Sequence, residues 1–242
     1  MTTFNQAQYD DLVVKSKDVY AHTKYDILEC YLADRPAMRI LNVGCGSGDL
    51  SIRLAQLGHD VSGIDVEPAY IRLAKDNAGR TATRGPCSFA VCSIEDYQSE
   101  GRFDCLVSTD VLEHIADDRH AFAKMVDLLY PGGLLLITVP AGPWLFGYHD
   151  EQLGHYRRYT KRTLRQLAGE FCSVERVRYF GFTLVPVCYL YSRRWRKPYP
   201  VAESGDATKS PAKSVILRGL LNLDRLVPFP LGTSLVMKAT RP

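Results

Sequence analysis

The 242-residue chain is 46% hydrophobic and 24% charged and carries a net charge of only +3. That balance describes a folded globular chain and excludes collagen-like, coiled-coil and wholly disordered classes. No apolar run reaches the ~18 residues of a membrane-spanning helix, and the stretch from Met1 to Gln6 has neither the basic nor the apolar region of a secretory signal. Seven scattered cysteines without a C-x-x-C spacing indicate neither a disulfide framework nor a zinc knuckle, so a cytoplasmic protein is expected.

Charge is unevenly spread. Residues 151–242 hold 17 Lys and Arg against 6 Asp and Glu, a balance of +11, which leaves −8 for the first 150. The basic half is expected to meet something anionic, either a substrate or a lipid surface at which the protein would be peripheral.

In chain order, residues 5–33 read as helical, with Leu12, Val13, Val19, Ile27, Leu28 and Leu32 as apolar positions. Met38 to Val43 reads as a buried strand running into a glycine turn. Ser47 to Leu57 follows at helical spacing and stops at Gly58. Strands are then expected at 61–64, 87–91, 103–108 and 134–139, with a helix over 69–78. The strand at 134–139 is introduced by Pro131-Gly132-Gly133. Strands alternating with helices form βαβ units, and therefore a parallel sheet. Beyond it come an aromatic loop from Trp144 to Tyr159, a helix from Thr160 to Phe171 that Thr160 can cap, and a strand at 174–179. An apolar stretch at 179–191 is too short to span a bilayer. Residues 197–213 read as a loop, and 234–239 as the last strand.

The segment Val43-Gly44-Cys45-Gly46-Ser47-Gly48-Asp49 is the most informative. Its glycines let a ligand lie against the backbone. A dinucleotide fingerprint would need glycine where Asp49 stands, which argues against a nicotinamide dehydrogenase, and a P-loop would need Gly-Lys-Ser/Thr. Asp49 near the helix N-terminus favours a cationic ligand group instead of a pyrophosphate. About 20 residues on, Asp65 ends the second strand where a carboxylate can accept both ribose hydroxyls. Ser93-Ile94-Glu95-Asp96 follows the third strand, where an adenine edge can be read.

These motifs, with Asp110-Val111-Leu112-Glu113-His114-Ile115 and Pro131-Gly132-Gly133, resemble the class I S-adenosylmethionine-dependent methyltransferases across residues 38–140. The resemblance implies an α/β Rossmann-like three-layer sandwich with a seven-stranded, mostly parallel sheet whose last strand is antiparallel. It also implies S-adenosyl-L-methionine as donor and S-adenosyl-L-homocysteine as product. Gly44, Cys45, Gly46, Asp65, Val66, Ser93, Ile94, Glu95 and Thr109 would surround the donor; Ser93 stands where many relatives have aspartate. Residues 1–242 would form one methyltransferase domain: a lid at 5–33, a donor-binding core at 38–140 and a substrate-side part at 141–242. Lys24 in the lid can reach the donor carboxylate. Gly154 to Thr160 resembles a segment of a subset of these enzymes, several of which act on sugars, lipid-linked precursors or secondary metabolites.

Methyl transfer is largely a matter of positioning, and a base is needed only when the acceptor must lose a proton. The substrate candidates are Trp144, Phe146, Tyr148, Tyr156 and Tyr159, since aromatic rings suit a sugar or planar acceptor. His149, followed by Asp150, is the leading base, with His155 behind it and Asp110 as a further catalytic candidate. The expected reaction is O-methylation of a small metabolite or saccharide. N- or C-methylation and a non-catalytic donor-binding module are the alternatives. His149, Asp150, Glu151 and His155 match no standard metal spacing. No protein-chelated metal is assigned, although magnesium near Asp110 or Asp150 is compatible. No nucleic-acid module accompanies the basic cluster Arg193, Arg194, Arg196 and Lys197.

Overall fold

The computed structural model describes residues 19–198 and 211–242, and the side chains of 211–216 are outside the description. The first part of the expected lid helix, with Leu12 and Val13, and most of the expected 197–213 loop therefore lie outside the described residues. Helix α1 spans Val19–Cys30 and is followed by β1 at Arg39–Val43, α2 at Asp49–Gln56 and β2 at Asp60–Asp65. Next come α3 at Pro68–Gly79, β3 at Cys87–Val91, β4 at Phe103–Thr109, α4 at Asp118–Asp127 and β5 at Leu129–Pro140. The remainder is α5 at Tyr148–Leu153, α6 at Lys161–Gly169, β6 at Ser173–Phe180, a π-helical segment at Cys188–Trp195, α7 at Pro211–Leu226 and β7 at Ser234–Thr240.

The seven strands form one sheet in the order β3-β2-β1-β4-β5-β7-β6. β1 to β5 pair in parallel, and β7 inserts antiparallel between β5 and β6. The alternation of side chains along each strand builds the two outer layers. Leu135, Ile137 and Val139 point to the side where α4 (Phe122, Met125) and α6 (Leu164, Ala168) pack. Leu134 and Leu136 point to the other side, against Leu28 of α1, Leu54 of α2 and Leu221 of α7. The expected three-layer sandwich with an antiparallel last strand is therefore present.

Three expectations need correction. β5 begins at Leu129, so Pro131-Gly132-Gly133 lies inside the strand and not ahead of it. The chain bulges there: pairing slips from Phe103 opposite Leu129 to Cys105 opposite Leu134. The aromatic stretch 144–159 is partly helical, containing a 3-10 turn at Pro143–Leu145 and α5. Helix α7 was not foreseen. Thr160 does cap α6, its side chain accepting from the Thr163 amide. All seven cysteines carry free thiols. Among the described residues no helix is long and apolar enough to cross a membrane.

Candidate active site

Strand order reverses between β1 and β4, and in an open α/β sheet ligands bind beyond the carboxyl ends of the strands at that switch point. A cavity of about 1260 Å³ opens there, lined from Gly44, Cys45 and Gly46 at the end of β1 to Thr109 and Asp110 after β4 and to His149 and His155 beyond β5. All ten residues expected to hold the donor line it: Lys24, Gly44, Cys45, Gly46, Asp65, Val66, Ser93, Ile94, Glu95 and Thr109.

The glycine turn is set by geometry. Gly44 has φ +69, and a Cβ there would stand 2.2 Å from Val111 Cγ2. Its amide and that of Cys45 both donate to the Ile64 carbonyl, at 2.8 and 2.9 Å, which folds the turn over the end of β2. Asp65 completes it, with one carboxylate oxygen accepting from the Gly46 amide and the other from the Glu67 amide, both at 3.0 Å. Burial pushes the Asp65 carboxyl above its ordinary value, against the pull of those two amides. Asp65 is not the cap of α3, because Glu67 accepts from Ala69 in that role. Burial also pushes the Cys45 thiol up, so it is no nucleophile at neutral pH. The Ser93 hydroxyl is engaged with Asp96, donating at 2.8 Å and accepting from its amide at 3.1 Å.

Lys24 is only 4% exposed. Its ammonium pairs with Asp110 and lies 4.9 Å above the Tyr20 ring. Burial alone would lower the Lys24 pKa, but the Asp110 carboxylate outweighs it and holds the group at about 12. Asp110 has φ +55, and its second oxygen accepts from Thr138 Oγ1 at 3.1 Å. Through Lys24, that carboxylate ties helix α1 to the end of β4.

The histidine–acid pair is not the one adjacency suggests. Asp150, fully buried, accepts from His155 Nδ1 at 2.9 Å, Arg158 Nε at 2.7 Å and the Gly147 amide at 3.0 Å. Although burial raises the Asp150 pKa, those three donors together hold it down at about 2. An ionised carboxylate only accepts, so Nδ1 of His155 carries a proton and donates it to this bond. His149 lines the cavity beside them, and its amide donates to Ser192 Oγ. Asp150 and Asp110 each pair with a cationic side chain, Arg158 and Lys24.

Of the five aromatic candidates only Tyr156 lines this cavity. Trp144 faces outward, half-exposed, 6.1 Å from Tyr189. Tyr159 is buried, donating to Asp118 at 2.7 Å, and burial and that carboxylate both push its phenol up. Phe146 and Tyr148 are half-buried outside the cavity lining. Sequence reasoning missed Glu113 and Arg158, which line the cavity while almost wholly buried. The signal for Glu113 was its place beside His114 at the end of β4.

The cavity fits a cationic donor. Asp49, Asp65, Glu67, Glu95, Asp96, Asp110 and Glu113 line it, against Lys24 and Arg158, both of which already have acid partners. Asn42 Oδ1, buried at its floor, has no hydrogen-bond partner among the described residues and can accept from an ammonium group.

A profile of the methyltransferase-domain family matches residues 34–200. The chain belongs to that family, whose methyl donor is S-adenosylmethionine. It is similar to a ubiquinone biosynthesis O-methyltransferase of Xanthomonas campestris, with 34% identity over 113 residues. That match covers 45% of this chain and 46% of the relative, so the chain spans about half the length of the curated relatives it matches. Among solved structures it resembles a magnesium protoporphyrin IX methyltransferase from Synechocystis with bound S-adenosylhomocysteine: TM-score 0.60, 18% identity, 100% of this chain and 90% of that one. The N-methyltransferase NodS of Bradyrhizobium japonicum gives a TM-score of 0.57 at 19% identity, covering 93% of this chain and 97% of that one. At those identities the two structures share the fold.

Proposed function

We propose that this chain is an S-adenosylmethionine-dependent methyltransferase that methylates a hydroxyl oxygen of a small metabolite or saccharide. Gly44, Gly46, Asp65 and Ile94 would hold the donor's nucleoside, and Lys24, Asn42 and Asp49 its charged amino-acid end. When bound, the donor supplies an electrophilic methyl group and leaves as S-adenosylhomocysteine. The N- and O-methyltransferases among the similar proteins leave the acceptor atom open, so the assignment to oxygen rests on the histidines.

The observation that carries it is the pair His149 and His155 lining one end of the cavity. Asp150 orients His155, but the same oxygen also receives Arg158. We take His149 as the proton acceptor and His155, which Asp150 orients, as the group that holds the acceptor. A positioned base contributes on the order of 10²-fold or more. The test is a screen of acceptor classes for formation of S-adenosylhomocysteine, repeated with His149→Ala. Turnover on a hydroxyl acceptor, lost at least 10²-fold in the variant with donor affinity kept, supports the reading. Turnover only on amines, or none on any acceptor, refutes it.

The acceptor is further proposed to be anionic or lipid-linked. Tyr189, Leu190 and Trp195 are exposed on the π-helical segment beside Arg193, Arg194 and Lys197, and Cys188 of the same segment lines the cavity. Rings and basic side chains together suit a phosphorylated substrate or an anionic lipid surface. A cytoplasmic, peripheral location follows from that reading.

A further inference from the structure

Helix α5, which carries His149, begins without a capping side chain of its own. Its N-cap residue is Gly147, followed by Tyr148, His149 and Asp150 in the first turn. The amides of a first turn have no partner within the helix. A serine or threonine at the N-cap would accept from the second or third of them, but Gly147 has no side chain to do so. Nor has it room for one: a Cβ there would lie 2.5 Å from the Ser192 carbonyl oxygen. The glycine lets the π-helical segment Cys188–Trp195 lay its backbone against the start of α5, and that segment supplies the missing oxygen. Ser192, with no exposed surface, accepts from the His149 amide through Oγ at 3.0 Å.

Cys188 and Ser192, four residues apart, form the buried face of the π-helical segment. Cys188 lines the cavity, whereas Ser192 stands behind its wall and meets the backbone of His149, whose side chain lines it. Helix α5 has six residues, about one and a half turns, far short of the ~12–15 that an isolated helix needs. It therefore keeps its place through bonds to the rest of the protein. Asp150 is held by His155 and Arg158, and Glu151 by Arg196. The Ser192 bond is made to His149 itself.

We infer that Ser192 is a positioning residue for His149: it caps α5 from outside and so fixes the backbone that carries the imidazole. The inference rests on the reading of His149 as the proton acceptor. A general base works at about 2.6–3.2 Å from the atom it deprotonates, and a misplacement of about 1 Å can cost on the order of 10²-fold. Ser192 is not part of the cavity lining, so its effect passes through His149 and not through contact with either substrate.

The experiment uses the full-length protein in two stages. First, with neither donor nor acceptor present, amide hydrogen exchange is followed by NMR in wild type and Ser192→Ala. The His149 amide should exchange at least tenfold faster in the variant, while those of Leu135 and Ile137 in β5 stay as protected as before. The ratio of His149 to β5 exchange decides the matter even if the whole protein loosens. Second, with an acceptor found by the screen above, Ser192→Ala should lower kcat about tenfold and leave acceptor KM and donor affinity within twofold. In a His149→Ala background the same substitution should cost nothing further, because the two changes remove one function. A merely structural serine would lower both rates by the same factor. An unchanged exchange ratio, an unchanged kcat, or a loss that adds to that of His149→Ala overturns the positioning role. Full turnover in His149→Ala alone is a different result: it overturns the base, and the role of Ser192 falls with it.

Discussion

Replacing Asp150 by Asn is the sharpest test of how the acceptor end is held. The substitution keeps the shape but removes a charge from a residue with no exposed surface, beside an arginine only 8% exposed. In the native protein one oxygen accepts from His155 and Arg158 and the other from the Gly147 amide. An asparagine has one acceptor to offer. With its oxygen toward Arg158, its NH₂ faces the Gly147 amide; flipped, its NH₂ faces the guanidinium and the imidazole. Either way donors oppose donors, and Arg158 is left without its counter-ion. Breaking a buried pair from one side costs about 3–5 kcal/mol, a large share of the roughly 5–15 kcal/mol that holds a domain folded. Urea unfolding at pH 7 should show that loss with an unchanged slope on denaturant. Because the Asp150 pKa is depressed, its contribution is full above the ordinary carboxylate value and fades as pH falls from about 4 toward 2. Lowering it from 3.8 to about 2 is worth roughly 2 kcal/mol, so the gap between wild type and variant should narrow in acid. Adding Arg158→Met to Asp150→Asn should recover part of the loss. A loss below about 0.5 kcal/mol at pH 7, typical of an ordinary surface change, would refute the buried network.

Gly44→Ala should destabilise by about 2 kcal/mol or more, from a left-handed backbone and a clash with Val111. Urea unfolding measures it, with Gly79→Ala, where nothing lies within 4 Å, as the neutral control. Replacing Arg193, Arg194 and Arg196 together by Ser should raise the acceptor KM at low salt, with the difference shrinking as salt screens the field. Donor affinity should stay as it was, and a KM independent of both salt and the substitutions would show these residues to be a solvated face.

The nucleotide-side half of the site was legible because it is local. The run Val43 to Gly48, Asp65 nineteen residues after Gly46, and Ser93 to Asp96 each sit at a strand end, and parallel pairing of β1, β2 and β3 alone brings strand ends together. The acceptor end was not legible in the same way. His149 and Asp150 are neighbours in sequence, but on helix α5 adjacent residues point in different directions. Gly154 ends that helix in the left-handed conformation and turns the chain back, which delivers His155 to the carboxylate. The pair Gly147 and Gly154 bracketing a short helix was the available signal. Helix α7 escaped because its apolar residues lie on more than one face: Leu221 is buried while Leu220, Leu223 and Leu226 are exposed. The separation of Glu113 from His155 by 42 positions is spanned only by tertiary packing, which no spacing rule reports.

The central claim is that the cavity between Gly44 and Asp110 takes S-adenosylmethionine through the glycine turn and Asp65. Calorimetric titration of wild type and Asp65→Ala with S-adenosylmethionine, with NAD as comparison, addresses it directly. Wild type should bind one equivalent, displaced by S-adenosylhomocysteine, and Asp65→Ala should bind at least tenfold more weakly, a loss of about 1.4 kcal/mol. Tighter binding of NAD than of S-adenosylmethionine, or an affinity unchanged in Asp65→Ala, would contradict it.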